Sequence, residues 1–368
     1  MQPLEINTRT RGLFGRGVFS QLGEQAALLG ERALLVSDPG LVAAGYPNRA
    51  FAALMRAGVE VHLFDGVAEN PTTEHVESGV ALAREKRVDL IVGLGGGSAM
   101  DCAKGVNFLL TNGGRMEDYW GVGKADKPML PLIAIPTTAG TGSEAQSFAL
   151  ISNPQTHAKM ACGDPKAMAR VALLDPELTL TQPGAVTAAT GIDAATHALE
   201  SFVSTKRNDI SQSHSREAWR RLKDAFPRVI ATPDDLEARG EMMLGAHYAG
   251  AAIEESMLGA AHACANPLTA RYGTVHGEAV GAMLPAVIRY NAQAVSDLYD
   301  ELGGADALAS TLEDFLQRAG LPTRLRNHGV EEDAITELAR EASKQWTARF
   351  NPREVDEASL EEIYRCVY

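Results

Sequence analysis

Four side chains in this 368-residue sequence have the types and spacing of a metal-binding set: Asp193, His197, His262 and His276. In Gly191-Ile192-Asp193-Ala194-Ala195-Thr196-His197 the carboxylate and the first imidazole stand four residues apart, which on a helix puts them on one face. His262 and His276 cannot reach the same ion from one continuous helix, because at about 1.5 Å rise per residue they would lie roughly 21 Å apart. The chain must turn between them. Pro267, Gly273 and the strand-like Tyr272 to Val275 offer the break, and His276-Gly277 would open the next helix. A carboxylate with three imidazoles can hold Fe(II), Zn(II) or another divalent ion and still leave positions for water or substrate. Any one of these histidines alone is more often a packed, hydrogen-bonded core residue than a ligand; the set together points to a metal.

A second group lies earlier in the chain. Asp89 to Leu94 (DLIVGL) reads as a strand that runs straight into Gly95-Gly96-Gly97-Ser98-Ala99-Met100-Asp101-Cys102-Ala103-Lys104, a helical pattern. Glycines at such a turn let backbone N–H groups approach a pyrophosphate, whose charge the helix N-terminus favours. The same residues also suit a plain tight turn capped by Ser98. Asp38 follows the strand Arg32 to Ser37, where a carboxylate accepts hydrogen bonds from a ribose 2'-hydroxyl and repels a 2'-phosphate; a helix cap before Pro39 is the plain alternative. After the strand Leu130 to Ile135 comes Pro136-Thr137-Thr138-Ala139-Gly140-Thr141-Gly142-Ser143-Glu144. It is a hydroxyl-rich loop at a strand's carboxyl end, where open α/β sheets bind ligands, or a polar loop with Ser143 and Glu144 at a helix start.

The elements needed to position these residues are legible. The strands just named, with Val59 to Phe64, alternate with helical patterns at Asn48 to Ala57 and Thr73 to Lys86, the signature of a parallel sheet covered by helices. Beyond Thr181-Gln182-Pro183-Gly184 the strand signal fades. Long Ala-rich amphipathic stretches take over, such as Ala185 to Ser204 and Ser211 to Ala225. The length exceeds what one hydrophobic core usually fills, so two domains are expected, residues 1–182 and 183–368. A formal charge of -13 repels phosphate backbones and anionic lipid, which leaves nucleic-acid and membrane-surface roles without a footing. Cys102, Cys162, Cys264 and Cys366 are widely spaced without a CxxC pair, so neither a disulfide framework nor a thiolate zinc site is indicated. The opening MQPLEINTRTRG has no apolar run, and a cytoplasmic protein is expected.

Taken in order, Phe14-Gly15-Arg16-Gly17, Asn70-Pro71-Thr72, GGGSAMDCAK at 95 to 104 and PTTAGTGSE at 136 to 144 continue through Lys159 and Asp175-Pro176-Glu177-Leu178. TGIDAATHALE at 190 to 200, His262, His276-Gly277 and Asn351-Pro352-Arg353 complete the series. Over almost its whole length the chain resembles the iron-containing, or type III, alcohol dehydrogenase family. The resemblance implies an α/β Rossmann-like N-terminal domain followed by an all-α C-terminal domain, a dehydroquinate synthase-like architecture, with nucleotide and metal in a cleft between them. It implies NAD(H) and a divalent metal, Fe(II) or Zn(II), as cofactors, a small alcohol or aldehyde as substrate, and a homo-oligomer. Asp193, His197, His262 and His276 become the metal ligands through which catalysis runs. Asp38 meets the adenosine ribose, and Gly96, Gly97 and Ser98 hold the pyrophosphate, with Gly95 and Asp101 beside them. Thr137, Thr138, Thr141, Phe148, Lys159 and Leu178 line the ribose and nicotinamide side.

The sequence departs from the family pattern at two places. Where a second histidine often follows four residues after His262, this chain has Asn266, which cannot titrate near neutral pH. Two residues before Phe148 stands Gln146 in place of the usual threonine. Arg349, in Gln345-Trp346-Thr347-Ala348-Arg349-Phe350, lies in a segment that approaches the substrate in the resembling family. Its guanidinium could pair bidentately with a carboxylate, sulfonate or phosphonate, which would make the substrate a short anionic aldehyde of the semialdehyde type; it could equally be solvated or paired with nearby acids. Two rivals to the dehydrogenase reading are a dehydroquinate-synthase-like lyase that uses NAD transiently and a non-catalytic binding protein. The Asp193/His197 pair speaks against the first and the complete ligand set against the second.

Overall fold

Aliphatic runs such as Leu-Ile-Val-Gly-Leu-Gly at 90 to 95, buried along their whole length, call for a sheet covered on both faces. The computed structural model, which describes residues 3–155 and 158–368, forms two compact units: Met1–Thr138 with Ser143–Thr181, and Ala139–Gly142 with Gln182–Tyr368.

The first unit contains strands β1 (Leu4–Asn7), β2 (Arg11–Phe14), β3 (Arg32–Val36), β4 (Glu60–Phe64) and β5 (Leu90–Gly95), followed by β6 (Gly121–Val122), β7 (Leu132–Pro136), β8 (Phe148–Ser152), β9 (Lys159–Gly163) and β10 (Val171–Leu174). Its helices are α1 (Leu22–Ala27), α2 (Pro39–Ala43), α3 (Tyr46–Arg56), α4 (Thr73–Lys86) and α5 (Gly97–Asn112). Seven strands form one sheet in the order β1-β2-β10-β7-β5-β3-β4, parallel except for the β1/β2 hairpin; β6-β9-β8 form a smaller sheet. Successive residues of β3 and β5 feed opposite cores, Leu34, Val36 and Ile91 on one face and Ala33, Leu35, Leu90 and Val92 on the other. From β3 the chain passes outward to β4 and then returns to β5 on the other side of β3. The strand order therefore reverses between β3 and β5, and their carboxyl ends frame the crevice where such sheets bind nucleotides.

The second unit is helical: α6 (Gly184–Val203), α7 (Asp209–Ala231), α8 (Leu236–Glu255), α9 (Ala260–Tyr272), α10 (His276–Asp300), α11 (Ala305–Arg318), α12 (Ile335–Ser343) and α13 (Glu357–Cys366). Alanine and glycine dominate α6, which is buried nearly all round and packs against α7, α8 and α10. Among the described residues, no helix is long and apolar enough to cross a membrane.

Candidate active site

The four metal-ligand candidates come together in the helical unit. One helical turn on α6 sets Asp193 Oδ1 and His197 Nε2 3.3 Å apart. Helix α9 brings His262 Nε2 to 3.6 Å from the same oxygen, and the first residue of α10 brings His276 Nε2 to 3.9 Å. The chain turns between these helices at Gly273, whose φ of 64° lies in the left-handed region that favours glycine. Two sequence expectations need correction here. Pro267 does not break the chain but lies inside α9, whose packing within the helical unit makes up for the one hydrogen bond that the missing N–H removes. Nor is Tyr272 to Val275 a strand: Tyr272 ends α9 and Val275 caps α10. At Gly277 a Cβ would sit 2.0 Å from the Ala189 carbonyl oxygen, so glycine is what allows the start of α10 to close on α6.

The donor set fits a divalent cation. Asp193 Oδ1 and His262 Nε2 are buried without a hydrogen-bond partner, a costly state unless a charge lies between them. Donors at ~2.1 Å from an ion stand about 3.0 to 3.5 Å apart in octahedral or tetrahedral geometry, close to the separations found. The ligating atoms of Asp193, His262 and His276 lie within 4.8 Å of one another, and the His197 and His262 rings stack at 5.0 Å. Asp193, His197 and His262 have side chains only 5 to 7% exposed, whereas His276 is 31% exposed, so the cluster opens to solvent on the His276 side. Burial pushes the Asp193 carboxyl up, but His197, His262 and His276 outweigh it and hold the group well below the usual carboxylate range. Burial lowers His197, with only partial compensation from Asp193. Burial also pulls on His262, yet the carboxylates of Glu200 and Asp193 prevail and raise it to about 9.

Glu200, quoted within the α6 motif but assigned no role from sequence, reaches the same site. Its Oε2 stands 2.5 Å from His262 Nδ1, and its Oε1 accepts the Ala261 N–H at 2.7 Å. In sequence only its position bears on this: Glu200 follows Asp193 by two helical turns, which puts both on one face of α6 but does not reveal the contact with His262. Asn351 was also missed as a supporting residue. Its Oδ1 accepts the Ala260 N–H at 3.2 Å, and it exchanges side-chain bonds with Asn291. Asn266 lies one turn beyond His262, half-buried. Arg349 is exposed; its Nε donates to the Trp346 carbonyl at 3.0 Å and the guanidinium lies 5.6 Å from the Phe350 ring centre.

Apart from Thr141, the nucleotide candidates lie in the first unit. The N-cap of α5 is Gly96, not Ser98, so no cap side chain accepts from the first amides of this helix. Gly95 has φ +156° and no room for a Cβ, which would lie 2.6 Å from Ala99 Cβ. Asp38 caps α2 with Oδ1, which accepts the Leu41 N–H at 3.0 Å, while Oδ2 lies toward Gly95. Thr138 is half-buried beside Gly96, and Thr137 is buried. Thr141 is half-buried within Ala139–Gly142, the short segment that groups with the helical unit. Phe148 is half-buried with its ring over Gly163, and Lys159 Nζ donates to Asn70 Oδ1 at 3.3 Å. Gln146 is half-buried. Two candidates turn inward. Asp101 accepts the Ser143 hydroxyl at 2.7 Å beside the fully buried Lys104, and Leu178 is packed in the sheet core.

A family model described as iron-containing alcohol dehydrogenase matches residues 9–176, and one for the C-terminal part of the same family matches 187–368. Alcohol dehydrogenase 4 of Schizosaccharomyces pombe is 35% identical over 96% of this chain and 86% of its own length. The 1,3-propanediol dehydrogenase of Klebsiella pneumoniae is 34% identical over 96% and 95%. Sulfoacetaldehyde reductase from Bifidobacterium kashiwanohense, solved in complex with NAD+, superposes with a TM-score of 0.89 at 29% identity, covering 100% of this chain and 99% of that one. With both halves matched and such relatives along nearly its full length, the chain belongs to the iron-containing alcohol dehydrogenase family.

Proposed function

We propose that this alcohol dehydrogenase interconverts a small primary alcohol and its aldehyde with NAD(H), using a divalent ion, Fe(II) or Zn(II), held by Asp193, His197, His262 and His276. What carries this reading is the convergence of three imidazole nitrogens on one unpartnered Asp193 oxygen. A divalent ion in that set supplies a Lewis acid for the substrate oxygen, and the nicotinamide supplies or takes the hydride. The residues of the chain hold and shield. Three buried ligands keep water from one side, and the half-exposed His276 leaves the other side open for exchange of substrate and proton. Asn266 offers no titrating group there, so a proton would have to be exchanged with solvent on the open His276 side. The uncapped α5 amides and Gly95, Gly96, Gly97 and Ser98 suit the pyrophosphate, and Asp38 suits an unphosphorylated ribose. Thr137, Thr138, Thr141, Phe148 and Lys159 belong to the same cofactor reading, as do Asp101 and Leu178 through support of the surrounding backbone. The free thiols suit a reducing, cytoplasmic setting, and the edge strand β1, with Leu4 exposed, suits pairing in a homo-oligomer.

A second reading, reduction of a short anionic aldehyde, is favoured by the exposed Arg349 guanidinium and by the sulfoacetaldehyde reductase among the relatives. One experiment addresses both. The protein is stripped with chelator, reloaded anaerobically with Fe(II) or Zn(II), and assayed with NAD or NADH on a panel of alcohols and aldehydes. Stripping should abolish turnover and reloading restore it; full turnover without metal would overturn the metal reading. On succinic semialdehyde Arg349→Ala should lower kcat/KM about tenfold, as expected for loss of a charge-assisted pair, with butanal little affected. Equal losses on both remove the anionic reading.

A further inference from the structure

We infer that Glu200 is a positioning residue that fixes the tautomer of His262, holding the proton on Nδ1 so that the Nε2 lone pair faces Asp193 and the proposed ion. The inference deepens the metal reading and rests on it. Glu200 is 4% exposed and has each oxygen committed, Oε1 to the Ala261 N–H at 2.7 Å and Oε2 to His262 Nδ1 at 2.5 Å. A carboxylate only accepts hydrogen bonds, so Nδ1 must be the donor, and a neutral imidazole with its proton there has its lone pair on Nε2.

Nothing local does this work. The N-cap of α9 is Gly259, which has no side chain, and the first two amides of the helix are satisfied from elsewhere in the chain, Ala260 by Asn351 and Ala261 by Glu200. A Cβ at Gly259 would lie 2.9 Å from Asn351 Oδ1 and 3.1 Å from Glu200 Oε1, tighter than ordinary packing. Glu200 therefore anchors the backbone one residue before His262 as well as its ring. Since Glu200 shares α6 with two of the proposed ligands, Asp193 and His197, one helix sets both the ion's partners and the orientation of the ligand arriving from α9.

The exchange Glu200→Gln separates a tautomer role from a packing role. Glutamine has the same shape, but its amide oxygen is needed by the Ala261 N–H, so its NH2 group faces Nδ1 and donates to it. The imidazole proton then moves to Nε2 and covers the lone pair. Zinc affinity of E200Q, measured by competition with a chromogenic chelator, should fall about 10- to 100-fold, while the melting temperature of the metal-free protein stays near wild type. In the zinc-loaded wild type, 15N NMR of labelled histidine should show His262 protonated on Nδ1 and zinc-bound through Nε2. His276→Ala serves as the control for the metal reading. If that control binds zinc as wild type does, the metal site itself fails. If the control weakens binding while E200Q matches wild type, the Glu200 inference alone is overturned. Should E200Q not fold, the wild-type spectrum decides, and an unprotonated Nδ1 overturns the inference.

Discussion

Asn266 Nδ2 donates to Gln345 Oε1 at 3.0 Å, an amide pair one helical turn beyond His262. Neither amide titrates in the range where a dehydrogenase works. Asn266→His would place an imidazole there, with a reference pKa of about 6.5. Above that value the ring is neutral and can accept the proton released in alcohol oxidation. The pH profile of kcat/KM for oxidation should therefore gain a limb rising through about pH 6.5 that the wild type lacks. Superimposable profiles would show that position 266 does not communicate with the substrate proton.

His262 and His276 should differ sharply when replaced, although both are proposed ligands. In the metal-free protein His262→Ala strands the buried Glu200 carboxylate opposite a void, and the loss of one partner of a buried pair costs about 3 to 5 kcal/mol. His276 is half-exposed, so its removal should cost about 1 kcal/mol or less. Urea midpoints of the two metal-free variants give the comparison. Equal shifts would contradict the burial difference.

Asp38 caps α2, and the NAD(H) reading proposes a second duty for it at the ribose; two substitutions separate them. Asp38→Asn keeps an acceptor for the Leu41 N–H, whereas Asp38→Gly removes it at a cost of a few tenths of a kcal/mol. Both remove the charge that repels a 2'-phosphate. Each should narrow the preference for NAD(H) over NADP(H) about tenfold in kcat/KM. A wild-type preference for NADPH would place the ribose away from Asp38.

Where the chain carries long, self-sufficient signals, its elements can be read directly. Helix α4 runs from Thr73 to Lys86 as its periodicity predicts, because Pro71-Thr72 begins it and Arg87, in the left-handed region, ends it. Strands β3, β5 and β7 follow from aliphatic runs buried on both faces. By contrast β1 buries one residue of four and β6 is two residues long, so pairing with neighbours rather than composition defines them. Pro267 misleads because proline disfavours helix locally, while packing against α10 and α12, which residue type does not reveal, carries α9 through it. The proposed ligand set is readable from residue type and spacing. Glu200 and Asn351 are not, because what they do depends on contacts 62 and 91 residues away in sequence.

The close approach at Gly277 also sets the calibre of the proposed cation cage. His276 rides on α10 and Asp193 on α6, and the two helices touch where a methyl on residue 277 would stand 2.0 Å from Ala189 O. Any larger residue would force the helices apart by roughly an ångström, since close-packed interiors do not yield otherwise. The 3.9 Å gap between His276 and Asp193 would then widen past what one small ion bridges. A single hydrogen atom in place of a methyl thus acts as the gauge block between the two jaws, and it makes the size of the ion a property of the backbone as much as of its ligands.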